Sequence, residues 1–467
     1  MAEDGAQSRQ RVVVLGGGPA GDVAALRASQ IGADVVMVER AHLGGTCLNW
    51  GCIPTKALLA VSDLLRKVQR GEEFGLKIPT VEIDFPAMMA RKDKVVKTMR
   101  DGVTFAAERR KVKVARGQGR VEGREVVVAG EGGEERYPYD HLILCTGSEP
   151  AQLPGFDFEH PTVLTSNDVV SLTTLPKSMI VLGAGVIGCE FASLFAPMGV
   201  ELTMVELLPR ILAGVDDRTQ KQFQQNLKKQ GVTLHLGKRI ENVKEYRDDG
   251  ITVVLDDGTE LSAECLLVSI GRQAQTRGIG LEELGVEIDE RGFIVVDEFL
   301  RTSVPNVWGA GDCIGGLQLA HLGSAEGARA VENALEGKLI PMDRTVVPSC
   351  VYTHPEIATV GLHADAAKEA GHQVLTGMAK FGGDGKALGE GEPEGYVQLV
   401  ADKETRALLG ATIYGGHATE LIHDVGSALY DGMTIDELGD IIHAHPTFSE
   451  MIGDAALAAG GRAPYLS

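Results

Sequence analysis

One pattern occurs twice in this chain and restricts its fold more than anything else in the 467 residues. Val12–Leu15 reads as a buried strand, Gly16-Gly17-Gly18-Pro19-Ala20-Gly21 as a turn, Ala24–Gln30 as a helix, and Val35–Val38 as a second strand ending at Glu39. The same order returns in Met179–Leu182, Gly183-Ala184-Gly185-Val186-Ile187-Gly188, Glu190–Phe195 and Leu202–Val205, ending at Glu206. The last glycine precedes the acid by 18 residues each time (39 − 21 and 206 − 188). Glycines between a strand and a helix let the backbone approach a pyrophosphate, whose charge sits on the helix N-terminus. The acid then accepts bonds from ribose hydroxyls. One such turn is a common loop; two with matched acids predict two dinucleotide-binding βαβ folds.

The length allows two to four domains with ample cores. A formal charge of −20 argues against nucleic acid or an anionic membrane as partner. Any anionic nucleotide must then be held by local devices. The apolar stretch around Ile180 is broken by glycines and by Glu190, so no membrane span is expected. The opening MAEDGAQSRQR is polar and acidic, unlike a secretory signal or an Arg-rich transit peptide. Seven cysteines form no disulfide framework. Five of them (Cys145, Cys189, Cys265, Cys313 and Cys350) lie in or beside apolar runs and read as small buried fillers. A reducing compartment, the cytoplasm, follows as the expectation.

The remaining two stand in GGTCLNWGCIPTK, Gly44 to Lys56. A C-x4-C pair is too close for a loop-closing staple to gain much and has the wrong spacing for a zinc knuckle; no metal site is expected. Residues five apart on a regular helix sit roughly 8–9 Å apart, beyond the about 7 Å that a disulfide tolerates. Bonding Cys47 to Cys52 therefore needs a distorted helix, which Gly51 permits and Pro54 helps impose. Spacing alone leaves two unpaired thiols and a short reducible disulfide both open.

The whole run GGTCLNWGCIPTKAL closely resembles the redox-active segment of the pyridine nucleotide–disulfide oxidoreductases, and the likeness extends from about Val12 to Glu450. The resemblance implies an α/β chain with two Rossmann-like domains, the NAD domain inserted within a discontinuous FAD region, and a C-terminal α+β dimerisation domain. The expected divisions are 1–150 for FAD, 151–275 for NAD, 276–345 completing the FAD region, and 346–467 for dimerisation. FAD would contact Gly16, Gly18, Gly21, Glu39, Gly45, Thr46, Lys56, Thr146, Gly147, Ser148, Gly311 and Asp312, with Lys56 stabilising the reduced flavin. NAD would contact Gly183, Gly185, Gly188, Glu206, Gly271 and Arg272. Glu206 repels a 2′-phosphate and favours NAD over NADP, although Arg210 lies close by. Three departures stand out: Gln273-Ala274-Gln275 lacks the family's Pro-Asn, Trp50 replaces a smaller residue, and Asp22 sits awkwardly beside the phosphate turn unless it caps its helix.

Near the C-terminus, His443-Ala444-His445-Pro446-Thr447-Phe448-Ser449-Glu450 resembles the family's base motif. It assigns His445 as acid/base and Glu450 as the partner that orients it; His443 reads as structural. His321 and His354 match family positions without a chemical role. The likeness is strongest to the branch that oxidises protein-bound dihydrolipoamide with NAD. There a substrate dithiol loses a proton to His445 and attacks Cys47, freeing Cys52 against the flavin, and the electrons leave to NAD. The histidine acts on the other subunit's disulfide, which implies a homodimer with shared active sites. No lipoyl domain is apparent, so a lipoyl-bearing acyltransferase or carrier protein is the expected partner.

Rival readings are a glutathione-type reductase, which would favour NADP, and a mercuric reductase, which usually adds a C-terminal cysteine pair that the tail GGRAPYLS lacks. A soluble transhydrogenase would lack the full pair. A diaphorase or quinone reductase and a non-catalytic, redox-controlled flavoprotein module complete the alternatives.

Overall fold

The computed structural model of the chain describes residues 9–464. The opening MAEDGAQS and the closing Tyr465-Leu466-Ser467, parts of the segments weighed above for a targeting signal and a cysteine-bearing tail, lie outside the described residues.

Near-continuous apolar runs such as Val12–Leu15 and Met179–Leu182 suit strands covered on both faces, as in parallel sheets. Both form that way. In the first sheet the strands lie in the order Val307–Gly309, His141–Leu144, Arg11–Leu15, Asp34–Glu39, Lys113–Arg116, all parallel. The second runs Thr233–Leu236, Glu201–Glu206, Ser178–Leu182, Cys265–Val268, Val163–Leu164, again parallel. Each sheet has its glycine-turn strand at the centre, so the chain reverses direction across the sheet beside that turn. Ligand crevices of doubly wound folds lie at such points.

The second sheet is inserted into the first unit by an out-and-back ribbon. Ser148–Pro150 pairs antiparallel with Arg272–Ala274, so the chain departs and returns side by side. The strand Val307–Gly309 then completes the first sheet. A third, antiparallel sheet follows in the order Ser349–Val351, Glu356–Gly361, Leu408–Gly415, Gly395–Asp402, Val374–Lys380. It packs its own core against the helices Ala418–Tyr430 and Glu450–Ala459. Among the described residues no helix is long and apolar enough to cross a membrane.

The distorted helix expected at the cysteine pair is present as a break. One helix covers Gly45–Asn49 and the next Cys52–Gln69. The break falls at Trp50-Gly51, where a Cβ on Gly51 would stand 3.1 Å from the Thr46 carbonyl oxygen. Pro54 sits in the first turn of the second helix; in an unbroken helix its ring would meet the carbonyl of Trp50, four residues back, which is where the break lies.

Candidate active site

The two glycine turns are built alike. Gly16 has φ +108°, and a Cβ there would lie 2.1 Å from the Cys145 carbonyl oxygen; Gly183 has φ +101° and the same conflict with Ser269 at 2.5 Å. Only glycine fits. The two acids are held in the same fashion. Glu39 accepts the Gly17 N–H at 2.8 Å and the Ala41 N–H at 2.7 Å. Glu206 accepts those of Ala184 at 2.6 Å and Leu208 at 2.8 Å. Two backbone bonds fix each carboxylate at the strand end, with lone pairs left for ribose hydroxyls.

A single cavity of about 1560 Å³ opens over the first turn. It exceeds the roughly 300–1,000 Å³ typical of small-ligand sites, as a dinucleotide requires. Gly16, Gly18, Glu39, Gly45, Thr46, Lys56, Thr146, Gly147, Ser148, Gly311 and Asp312 all line it, together with Cys47 and Cys52. Gly21 does not; it lies under the turn, where a Cβ would meet the Gly16 carbonyl oxygen at 1.8 Å. Three buried polar atoms lack a protein partner and belong to residues of this wall: Thr146 Oγ1, Asn167 Oδ1 and Gln318 Nε2. Buried polar groups need partners, so these atoms, with the turn that admits no side chain, fit a polar dinucleotide. Sequence reasoning missed Asn167 and Gln318, which carry no motif.

Of the second set, Gly183, Gly185, Gly188, Glu206 and Gly271 lie outside this cavity, which reaches their turn only through Val186 and Ile187. Arg272, grouped above with the NAD contacts, donates from Nε to Ser148 Oγ at 2.7 Å and from a terminal nitrogen to the Ser148 carbonyl at 2.8 Å. Ser148 in turn bonds Asp312. Arg272 thus lines the cavity over the first turn, because the returning strand pairs beside the departing one. Arg210 is held by Asp217.

Cys47 and Cys52 stand as neighbouring free thiols. Cys47, with the Lys56 ammonium, pulls the Cys52 thiol downward against its burial and the Glu190 carboxylate. The Cys52 side chain and burial push Cys47 upward. Lys56 lines the cavity as expected, but its charge is shared. Its Nζ bonds both oxygens of Glu190, at 2.9 and 2.8 Å, and lies 4.4 Å over the Tyr352 ring. Glu190 is 4% exposed and also accepts the Tyr352 N–H. A lone acid in the apolar run Val186–Phe195 was the available signal, since a buried carboxylate must be paired. Cys350 is only half-buried and lines the same cavity, whereas Cys145, Cys189, Cys265 and Cys313 are buried fillers as expected.

His445 and Glu450 come together as expected: Nδ1 lies 2.9 Å from Glu450 Oε1. Burial works against ionisation of Glu450, but the Thr447 N–H and His445 outweigh it and hold the carboxyl below its ordinary range. The histidine side chain is 81% exposed and does not line the cavity of its own chain. The structure therefore does not bring His445 and Cys47 together within one copy. His321 lines the cavity and bonds the Pro348 carbonyl at 2.9 Å. Burial pulls His354 down to about 4.

Asp22 does not cap its helix, whose N-cap is Gly18 without a side-chain bond. Burial pushes its carboxyl up to about 7, opposed by the Val23 N–H. A folded-state pKa above the ordinary 3.8 means that the native state favours the protonated form. That stabilisation is full below the unfolded pKa and is lost as pH rises through about 7. Asp22→Asn should accordingly raise Tm by a few degrees at about pH 8 and by less near pH 5. Calorimetry at both values checks this; an equal shift would contradict it.

Two nucleotide turns, one opening on a cavity that also holds a paired thiol, define a nucleotide-dependent thiol–disulfide oxidoreductase. Residues 10–327 match the pyridine nucleotide-disulphide oxidoreductase family and residues 347–456 its dimerisation domain. The chain belongs to that family. It is 41% identical to a dihydrolipoyl dehydrogenase of Bacillus subtilis, over 97% of this chain and 98% of the relative. It is 39% identical to one of Halobacterium salinarum, over 97% and 96%. Among solved structures, LpdA of Mycobacterium tuberculosis superposes with a TM-score of 0.90 at 27% identity, covering 96% of this chain and 99% of that one. The HOCl-induced flavoprotein disulfide reductase RclA of Escherichia coli gives 0.86 at 28%, with the same coverage.

Proposed function

We propose that this enzyme oxidises protein-bound dihydrolipoamide to lipoamide and reduces NAD+ to NADH, with FAD at the first turn and NAD at the second. The observation that carries this reading is the thiol pair in the wall of the first turn's cavity, beside a low-pKa Cys52, with a carboxylate-oriented histidine exposed elsewhere on the chain. The relatives' common name supports the dithiol substrate.

In its oxidised form the Cys47–Cys52 bond receives the substrate. Nδ1–H of His445 donates to Glu450, which leaves Nε2 to take the proton from one substrate thiol. The resulting thiolate attacks Cys47 Sγ, the Cys47–Cys52 bond breaks, and Cys52 departs as a thiolate. A depressed pKa suits a leaving sulfur. The second substrate thiol then attacks the mixed disulfide and closes the lipoyl ring, its proton passing to the departing Cys47 thiolate while His445 keeps the first proton. Re-formation of the Cys47–Cys52 disulfide would release the electron pair, for which FAD, when bound, would supply the acceptor and NAD+ the hydride acceptor beyond it. Thr146, Ser148 and Asp312 would hold the flavin, and the Lys56–Glu190 pair would border the thiols.

His445 would serve the cavity of a second copy, in a homodimer with shared active sites. Support comes from the dimerisation domain and from the exposed apolar Tyr430, Ile441 and Ile442 within it; Ile442 is 97% exposed. The lipoyl group would arrive on an acyltransferase or carrier protein, in the cytoplasm, where a reducing pool keeps the other five cysteines as thiols.

Steady-state reduction of NAD+ and NADP+ by dihydrolipoamide, beside glutathione, tests this. NAD+ should win by about 10²-fold or more in kcat/KM, because a 2′-phosphate would face the fixed Glu206 carboxylate while Arg210 is engaged by Asp217. Glutathione should give negligible turnover. A preference for NADP+ or for glutathione would overturn the reading.

A further inference from the structure

One buried carboxylate takes no part in the thiol chemistry yet joins three separate regions. Glu326, in the helix Ala320–Glu336, is 3% exposed. Its Oε2 accepts the Gly311 N–H at 2.9 Å. Its Oε1 accepts Nε and a terminal nitrogen of Arg344, at 2.9 and 2.8 Å. Gly311 leads into Asp312, which accepts from Ser148 and lies 3.8 Å from Arg272 Nε. Arg344 belongs to the connector between this helix and the first strand of the C-terminal sheet, Ser349–Val351.

Packing leaves Glu326 little freedom. The helix is pressed onto the first unit at Gly327, where a Cβ would stand 2.1 Å from the Ala20 carbonyl oxygen, and at Gly323, 3.3 Å from the Gly311 Cα. A carboxylate buried this deeply is tolerated only with both partners in place, and removing one leaves a charge or an N–H unpaired.

We propose that Glu326 is a positioning residue of the flavin site, holding the Gly311–Asp312 turn in the form that grips FAD only while Arg344 is docked. Flavin retention then depends on how the connector to the C-terminal unit is seated. The proposal rests on the reading of Asp312 as a flavin contact.

The test uses purified holoprotein carrying Arg344→Met, which removes the cation, or Glu326→Gln, which keeps an acceptor for Gly311. Free flavin fluorescence on serial dilution gives the FAD dissociation constant, and Tm is read with and without FAD. Each variant should weaken FAD binding roughly tenfold. The apo Tm should fall because a buried partner is lost, and the holo Tm should fall further, so that the gap between them narrows. A purely structural ion pair would lower both Tm values together and leave the gap intact; that result, or unchanged FAD affinity in Arg344→Met, overturns the proposal. Asp312→Asn is measured alongside. If it keeps its flavin, the Asp312 reading falls and takes this proposal with it; if it loses flavin while Arg344→Met does not, only the proposal falls.

Discussion

Cys47→Ser protein is expected to purify yellow, bind NAD+ normally, and lose dihydrolipoamide-dependent NAD+ reduction by about 10³-fold or more. The hydroxyl can occupy the space of the thiol, so the cavity wall should persist. What disappears is the sulfur that the substrate attacks. Flavin absorbance and steady-state rates, measured on one preparation, separate the two effects. Substantial residual turnover would show that electrons reach the nucleotides without the pair, as in a thiol-independent diaphorase.

A second large effect follows from where the histidine lies. His445→Gln should lower turnover by about 10²–10⁴-fold, the range for a general base, while leaving the thiol pair and cofactor sites in place. The two defective proteins should then repair each other. If each active site combines Cys47 of one copy with His445 of another, co-refolded Cys47→Ser and His445→Gln chains form mixed dimers with one intact site. At equal mixing, half the dimers are mixed and half their sites work, so about a quarter of full activity should return. No recovery, in mixed dimers verified by mass, would mean that the base acts within its own chain. That result would conflict with an 81% exposed imidazole outside its own cavity.

Both nucleotide sheets were legible in the sequence because their signals are local. A glycine that must take φ +108° and an acid that reaches back to the same turn are fixed by short-range geometry. The break at the cysteine pair was legible for the same reason: it falls at Trp50-Gly51, with Pro54 four residues after Trp50. What the sequence left hidden are contacts across the chain. Arg272 meets Ser148 from 124 residues away, and Glu190 meets Lys56 from 134. No spacing rule links such residues; only the strand pairing at the ribbon and the packing of one unit's helix on the other bring them together. Glu190 was visible as an oddity, an acid in an apolar helix, but its partner was not. Glu326 was less visible still, since Gly-x-x-Glu-Gly within a helix reads as poor helix sequence until the close approach to Gly311 is seen.

The ribbon of Ser148–Pro150 and Arg272–Ala274 has an evolutionary reading. Its two strands bring the ends of the whole intervening unit together, so that unit is joined to its host as a cassette is to its slot. Both acids are bonded 22 residues back to the turn, so host and guest share one plan. Such a guest can be exchanged for another of different nucleotide preference without rerouting the surrounding chain. Lineages built this way can change their electron acceptor while keeping their sulfur chemistry untouched.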